Sequence, residues 1–170
     1  MIIHQLSSLL TNKSLVIALW LSTIIFLVFL MVVIGGFTRL THSGLSMVTW
    51  EPLTGWLPPL ALSEWNEVFS AYKKTPEYKE YNIGMSLKEF KNIFWLEFVH
   101  RSWGRLIGLA FVVPFFLFSI LGWFQRDLFL HLLVLLFLGG AQGVLGWFMV
   151  KSGLVDRPDV SQYRLASHLC

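Results

Sequence analysis

The 170 residues carry a formal net charge of +3, and 55% of them are hydrophobic while only 14% are charged. Since soluble domains have about a quarter charged residues, this composition excludes an ordinary soluble domain and indicates an integral membrane protein. The charge is too small and too dispersed for a nucleic-acid-binding surface, and the single cysteine excludes an intramolecular disulfide.

The first apolar block, residues 15–36, contains 22 residues without a charge and is long enough to cross a bilayer as a helix. It exceeds the hydrophobic part of a cleavable signal peptide, so we expect a retained membrane helix. The lead before it, residues 1–14, contains no arginine. This absence is untypical of a mitochondrial targeting peptide and favours a bacterial plasma membrane over the mitochondrial inner membrane.

A long loop, residues 37–99, follows this span and is too long for a simple connection. Trp50, Trp56 and Trp65 predict that the loop lies on the membrane surface, because tryptophan is enriched at bilayer interfaces.

Three local patterns predict helices within this loop. Residues 63–72 have the apolar spacing of a short amphipathic helix. Thr75-Pro76 is typical of a helix start, and Ser86 to Glu89 matches a capping box. The last of these signals predicts one continuous helix that runs from the loop into the second span.

Two further apolar stretches, residues 100–124 and 128–150, predict the second and third membrane helices, joined by a tight turn at Gln125–Asp127. Pro114 should kink the second helix, which a bundle tolerates when a neighbour satisfies the carbonyl that proline leaves without a partner.

Residues 151–162 form a second polar loop, and residues 163–170 resemble the start of a fourth membrane helix. The predicted fold is therefore an all-α integral membrane protein with three complete transmembrane helices and the start of a fourth.

The candidate functional residues lie where the second span begins. Glu97 and His100 are three residues apart, which places them on one helical face. Gly104 and Gly108 follow at spacings of four and eight, so the strip beneath the imidazole has no side chains. A flat ring bound by His100 could lie against this bare backbone. The alternative is a helix-packing motif beside an interfacial histidine.

Three arginines complete the pattern of a haem site. Arg101 and Arg105 flank the bare strip, and Arg39 lies at the end of the first span. Guanidinium groups there suit haem propionates, while an imidazole suits the iron.

A second histidine supports the same interpretation. The second span leaves the side on which His100 lies and the third returns to it, so His168 lies on that side too. Two histidines at one depth on two helices are what a bis-histidine haem requires. The alternatives are two unrelated interfacial histidines or, with less support because no further ligands have suitable spacing, a zinc site.

The motifs as a whole resemble haem A synthase of the mitochondrial and alphaproteobacterial type, specifically its N-terminal half. The matching segments cover nearly the whole chain: residues 35–47 (GGFTRLTHSGLSM), 58–60, 72–78, 89–91, 97–101, 104–105, 139–143 and 163–168.

This resemblance implies an architecture of eight helices in two similar bundles, of which this chain is one half. It implies oxidation of the haem O methyl group to the formyl group of haem A, for cytochrome oxidase. His100 and His168 would bind the iron of the substrate haem, and Glu97 would be the catalytic acid. A carboxylate there could shuttle protons or stabilise developing positive charge, and an ion pair with Arg101 is the structural alternative.

The family's second half, with a second haem (haem b) expected to relay electrons, is missing from the sequence. We therefore expect the isolated chain to be weakly active or inactive. Expected partners are haem O, the lipid bilayer, the missing half or a second copy of the chain, and haem O synthase or cytochrome oxidase assembly factors. The alternatives are a non-catalytic bis-histidine membrane cytochrome, an inactive gene fragment and a haem-free membrane scaffold.

The resemblance also implies an orientation, with residues 1–14 in the cytoplasm and the loops at residues 37–99 and 151–162 outside it. Lysines and arginines near the ends of the spans favour the opposite orientation, but long loops escape that rule. We follow the resemblance.

Overall fold

The computed structural model describes residues 13–51, 54–155 and 161–169, and within these ranges every regular element is an α-helix. The expectations for residues 1–12 and for 156–160 in the second loop lie outside the described ranges. The helices in chain order are α1 (Lys13–Leu40), α2 (Leu62–Tyr72), α3 (Pro76–Tyr81), α4 (Leu87–Ile120), α5 (Arg126–Val155) and α6 (Gln162–Leu169).

Helices α1, α4 and α5 are each long and apolar enough to cross a membrane. Their apolar side chains point outwards: Ile25, Phe26 and Phe29 of α1 are 70%, 58% and 62% exposed. Leaving such a side chain in water forgoes about 1.5–3 kcal/mol of burial free energy, so lipid is the solvent that suits these helices. The prediction of an all-α membrane protein with three spans is confirmed.

An aromatic cluster joins the three spans at the end of the bundle away from His100. Trp20 of α1 lies with its ring centroid 5.4 Å from that of Phe111 and 5.5 Å from that of Phe118. The indole Nε1 of Trp20 also donates a hydrogen bond of 2.8 Å to the carbonyl of Ala110. Ala110 precedes Pro114 by four residues, so its carbonyl is the one that the proline leaves without an amide donor. The neighbouring helix satisfies it, as the sequence predicts.

The turn between α4 and α5 differs from the prediction. The helix ends at Ile120, and Arg126 is already helical, so a turn at Gln125–Asp127 is wrong. Gly122 adopts a φ of 65°, the left-handed conformation that ends a helix. The amide of Trp123 donates to the carbonyl of Phe118 at 2.9 Å, and the two rings stack 4.7 Å apart. These contacts end α4 at Ile120, although the residues that follow are still apolar.

The loop predicted at residues 37–99 contains α2, α3 and the first turns of α4. Thr75 caps α3, and Ser86 and Glu89 form the capping box of α4, as predicted. The amphipathic helix expected at residues 63–72 is α2.

The apolar side of α2 packs against α4 in a second aromatic cluster. Trp65 is only 5% exposed, with its ring centroid 5.0 Å from that of Phe94, so this side chain packs inside the protein. The buried members of this cluster are Trp65, Phe69, Tyr72, Phe90 and Phe94.

The hydrogen bond between Trp20 and Ala110 gives a first prediction. Trp20→Phe keeps an aromatic ring but leaves the carbonyl without a donor, so we expect a loss of about 1–3 kcal/mol in the free energy of unfolding in detergent. In a Pro114→Ala background the restored amide satisfies that carbonyl, and Trp20→Phe should cost less there. An equal cost in both backgrounds, measured as a double-mutant cycle, would contradict this account.

Candidate functional site

The Glu97 carboxylate is buried, with only 1% of the residue exposed, and accepts hydrogen bonds from three donors. Its Oε2 atom accepts from the Ser46 hydroxyl and from the Met47 amide, both at 2.7 Å. Its Oε1 atom accepts from Nη2 of Arg101, one turn further along α4. The ion pair that the spacing suggests is therefore present, and the same carboxylate connects α4 to a segment about fifty residues earlier.

Arg101 fixes the same segment from the other side. Its guanidinium donates to the carbonyls of Met47 and Thr49, both at 2.8 Å, and lies 5.3 Å from the ring centroid of Trp50. We call residues 46–51 the anchored segment.

Arg105 holds the far end of the anchored segment. It donates to the Glu51 carbonyl at 2.8 Å and lies 5.6 Å from the ring centroid of Trp56. A Cβ atom on Gly55 would lie 2.8 Å from the Arg105 guanidinium, so this approach requires glycine. Two of the three arginines that the sequence assigns to propionates, Arg101 and Arg105, thus bind protein carbonyls. Arg39 lies exposed in the last turn of α1.

The His100 imidazole lies against the backbone of α1. A Cβ atom on Gly35 would be 3.4 Å from Nε2 of His100, so the space beside this nitrogen depends on the missing side chain. The glycines expected to form a bare strip behave differently. Gly104 faces Met31 of α1, 3.5 Å from where its Cβ would be, and Gly108 has no neighbour within 4 Å of that position.

The His168 imidazole of α6 lies in the same way against α5. A Cβ atom on Gly146 would be 3.1 Å from Cε1 of His168. The Nδ1 atom of His168 is buried and has no hydrogen-bond partner among the described residues. The two imidazoles are close enough to interact electrostatically. The structure therefore brings His100 and His168 together, each beside a glycine of a neighbouring helix.

The residues of this site are next tested against a bound haem. Among the described residues no cluster of three or more histidines, cysteines or carboxylates is placed to bind a metal ion. His100 and His168, the latter with a buried Nδ1 atom that has no hydrogen-bond partner among the described residues, would suit the ligation of a haem iron. Gly35 and Gly146 leave room where a Cβ atom would crowd the rings.

Comparison with known proteins identifies the family to which the chain belongs. Residues 18–170 match the COX15-CtaA family, described as "Cytochrome oxidase assembly protein". The chain belongs to this family. It is similar to proteins named "Heme A synthase" from Paramagnetospirillum magneticum (56% identical over 90% of this chain) and Nitrosospira multiformis (57% identical over 90%). It spans 43% of the length of each of these curated relatives. No solved structure matches the chain.

In this COX15-CtaA chain a second carboxyl group lies near Glu97. Glu77 of α3 is only 4% exposed, and its Oε2 atom has no hydrogen-bond partner among the described residues. Its carboxyl group is hydrogen-bonded to the hydroxyl of Tyr72 on α2. Burial, with a smaller contribution from the charge on Glu97, raises the pKa of Glu77 to about 7.

Sequence reasoning missed four residues of this arrangement: Gly35, Gly146, Ser46 and Glu77. The two glycines carried a usable signal, since Gly35-Gly36 closes the first span and Gly146 ends a row of glycines at the depth of His168. Ser46 and Glu77 gave no comparable signal, because their importance comes from contacts with distant helices.

The three hydrogen bonds to Glu97 give a second prediction. Glu97→Ala leaves Arg101 buried without its counter-ion and releases the anchored segment, so we expect a loss of about 3–5 kcal/mol in the free energy of unfolding. Limited proteolysis should also cut the anchored segment faster. Glu89→Ala on the same helix is the control, since that exposed cap costs only about 1 kcal/mol. Equal losses for the two variants would contradict the assignment.

Proposed function

We propose that this chain forms the substrate-haem half of a haem A synthase, which oxidises the methyl group of haem O to the formyl group of haem A. The observation that carries the proposal is that the two imidazoles, His100 and His168, each lie against a glycine of a neighbouring helix. Membership of the COX15-CtaA family and the names of the relatives support the same activity.

In this proposal His100 and His168 bind the iron, and Gly35 and Gly146 leave space beside the two rings. Haem O, when bound, would present the methyl group that is oxidised, and the electrons removed from it would pass to the electron-relaying partner proposed below. Arg39 is the arginine best placed to meet a propionate, because it is exposed at the end of α1. Arg101 and Arg105 contribute by holding the anchored segment beside the site.

The hydrogen bonds to Glu97 favour one of its two possible roles. A carboxylate that shuttles protons must turn and exchange partners, whereas Glu97 has donors on both oxygens. A fixed negative charge instead stabilises positive charge that develops on a neighbouring carbon, without any reorganisation during the reaction. We therefore assign Glu97 the role of charge stabilisation.

We further propose that complete conversion needs a partner with an electron-relaying haem b, either the part of the relatives' length that this chain does not match or a second copy of the chain. Haem O synthase and cytochrome oxidase assembly factors remain candidate partners. The proposed location is the bacterial plasma membrane with the long loop outside, which a topology reporter fused after Lys74 tests.

The second candidate function is a non-catalytic bis-histidine cytochrome that transfers electrons. The observation in its favour is that Glu97 is already fully used in fixing the anchored segment, which needs no catalytic role. Both functions require the histidine pair, so the reaction product must separate them.

The glycine contacts give a third prediction, on haem binding. Gly146→Ala places a methyl group 3.1 Å from the His168 ring, and we expect it to weaken haem binding by about 1–3 kcal/mol, measured by titration of the purified chain. His168→Ala should abolish the low-spin bis-histidine spectrum.

Gly143→Ala is the matched control, because its Cβ atom meets nothing within 4 Å. His131→Ala is the control for the imidazole, since His131 is exposed and bonded to the Asp127 carbonyl. If the two glycine variants bind haem equally, or His168→Ala keeps the spectrum, the proposed site is wrong.

A fourth prediction separates the enzyme from the cytochrome. Glu97→Gln keeps the size of the side chain and one acceptor oxygen but removes the charge. We expect cells that co-express this variant with the C-terminal part of a relative to accumulate haem O, while haem stays bound to the chain. No haem A from the wild-type chain under the same co-expression would favour the cytochrome, whereas unchanged haem A production by Glu97→Gln would contradict the role assigned to Glu97.

A further inference from the structure

The surroundings of the buried Glu77 side chain suit an uncharged carboxyl group. Besides the bond to Glu77, the Tyr72 hydroxyl accepts a hydrogen bond of 2.7 Å from Nδ2 of Asn82, and Tyr72 is fully buried. The Oε2 atom of Glu77 is buried and unpartnered in the described part of the chain. A buried carboxylate that lacks partners is costly, whereas a protonated carboxyl group is not.

The charged groups around Glu77 also favour its protonated form. The ionisable groups that act on it are the Tyr72 hydroxyl from α2 and the Glu97 carboxylate from α4, and neither supplies a positive charge. The lysine of α5, the other helix that packs against α3, is Lys151, and its ammonium group lies 5.0 Å from the ring centroid of Trp147. Arg101 is paired with Glu97 instead.

We propose that Glu77 is a positioning residue for the haem site: it keeps a proton so that Glu97 remains the single negative charge binding the anchored segment. The inference rests on the function proposed above and extends it to a residue outside the histidine pair. When Glu77 ionises, its proton leaves for solvent, and a second buried negative charge then repels Glu97. That repulsion weakens the hold of Glu97 on Ser46 and Met47.

The effect reaches the histidine site through the segment that joins Ser46 to α1. The Ser46 hydroxyl, whose single proton goes to Oε2 of Glu97, lies 3.1 Å from the Ser43 carbonyl oxygen, and the Ser43 amide donates to the carbonyl of Thr38 at 3.0 Å. Thr38 lies one turn beyond Gly35 on α1. Loosening Ser46 therefore loosens the end of the helix against which His100 packs.

The sign of the pH dependence follows from the raised pKa. An unfolded glutamate ionises near its ordinary value of 4.5, while the folded chain keeps the proton on Glu77 up to about 7. The folded state therefore loses stability as pH rises through this interval, and the contribution of Glu77 is fully lost above it.

Hydrogen exchange at the Met47 amide, which donates to Glu97, measures the effect directly. In the haem-free chain in detergent, its protection should fall by about tenfold between about pH 6 and pH 8, after correction for the intrinsic rate. Glu77→Gln, which is permanently neutral, should keep full protection. Tyr72→Phe removes a bond that lowers the pKa of Glu77, so it should move the midpoint to higher pH.

Glu80→Gln, an exposed change on the same helix, is the control and should follow the wild type. The proposal is overturned if Met47 protection shows no corrected pH dependence in the wild type, or if neither Glu77→Gln nor Tyr72→Phe changes it. The measurement needs no haem, so its failure leaves the proposed function untouched. If the wild-type chain with haem shows no bis-histidine spectrum, that result overturns the proposed function but leaves the role of Glu77 untouched.

Discussion

The buried ion pair of Glu97 and Arg101 is the interaction on which the rest of the site depends. Two charges of α4 bind the backbone of the anchored segment from both sides, with Glu97 accepting from the Met47 amide and Arg101 donating to the Met47 carbonyl. The Ser46 hydroxyl that donates to Glu97 also lies 3.1 Å from the Ser43 carbonyl oxygen, close to the end of α1. An ion pair removed from water needs such additional hydrogen bonds to offset its desolvation. The anchored segment supplies them, and in return it is fixed to α4.

The parts of the fold that the sequence predicted are those that depend on neighbouring residues. Thr75 and Ser86 cap helices through atoms three residues away, so their signals are complete within a few residues. The predicted position of the turn after α4 was wrong because apolar sequence continues past Ile120. A glycine with positive φ ends the helix there, and composition alone does not reveal that conformation.

The same distinction between local and long-range contacts applies to the candidate site. Helical spacing placed Glu97, His100 and Arg101 on one helix, and the count of crossings placed His168 at the same depth. What spacing could not give is which helix each side chain faces. Gly104 proved to face Met31 of α1, and the glycines that lie beside the imidazoles belong to α1 and α5. Contacts between helices follow from their relative rotation and tilt, which a single sequence does not encode in any local pattern.

The charges of Glu97 and Arg101 balance one another, and this balance affects the proposed chemistry. Glu97 and Arg101 together carry no net charge, and a protonated Glu77 adds none. In a low-dielectric bundle a fixed carboxylate acts more strongly on a positive charge that develops near it than it would in water. The hydrogen bonds that make Glu97 look like a structural residue are therefore the same ones that keep its charge fixed. Its structural role and its proposed role in stabilising positive charge are compatible for this reason.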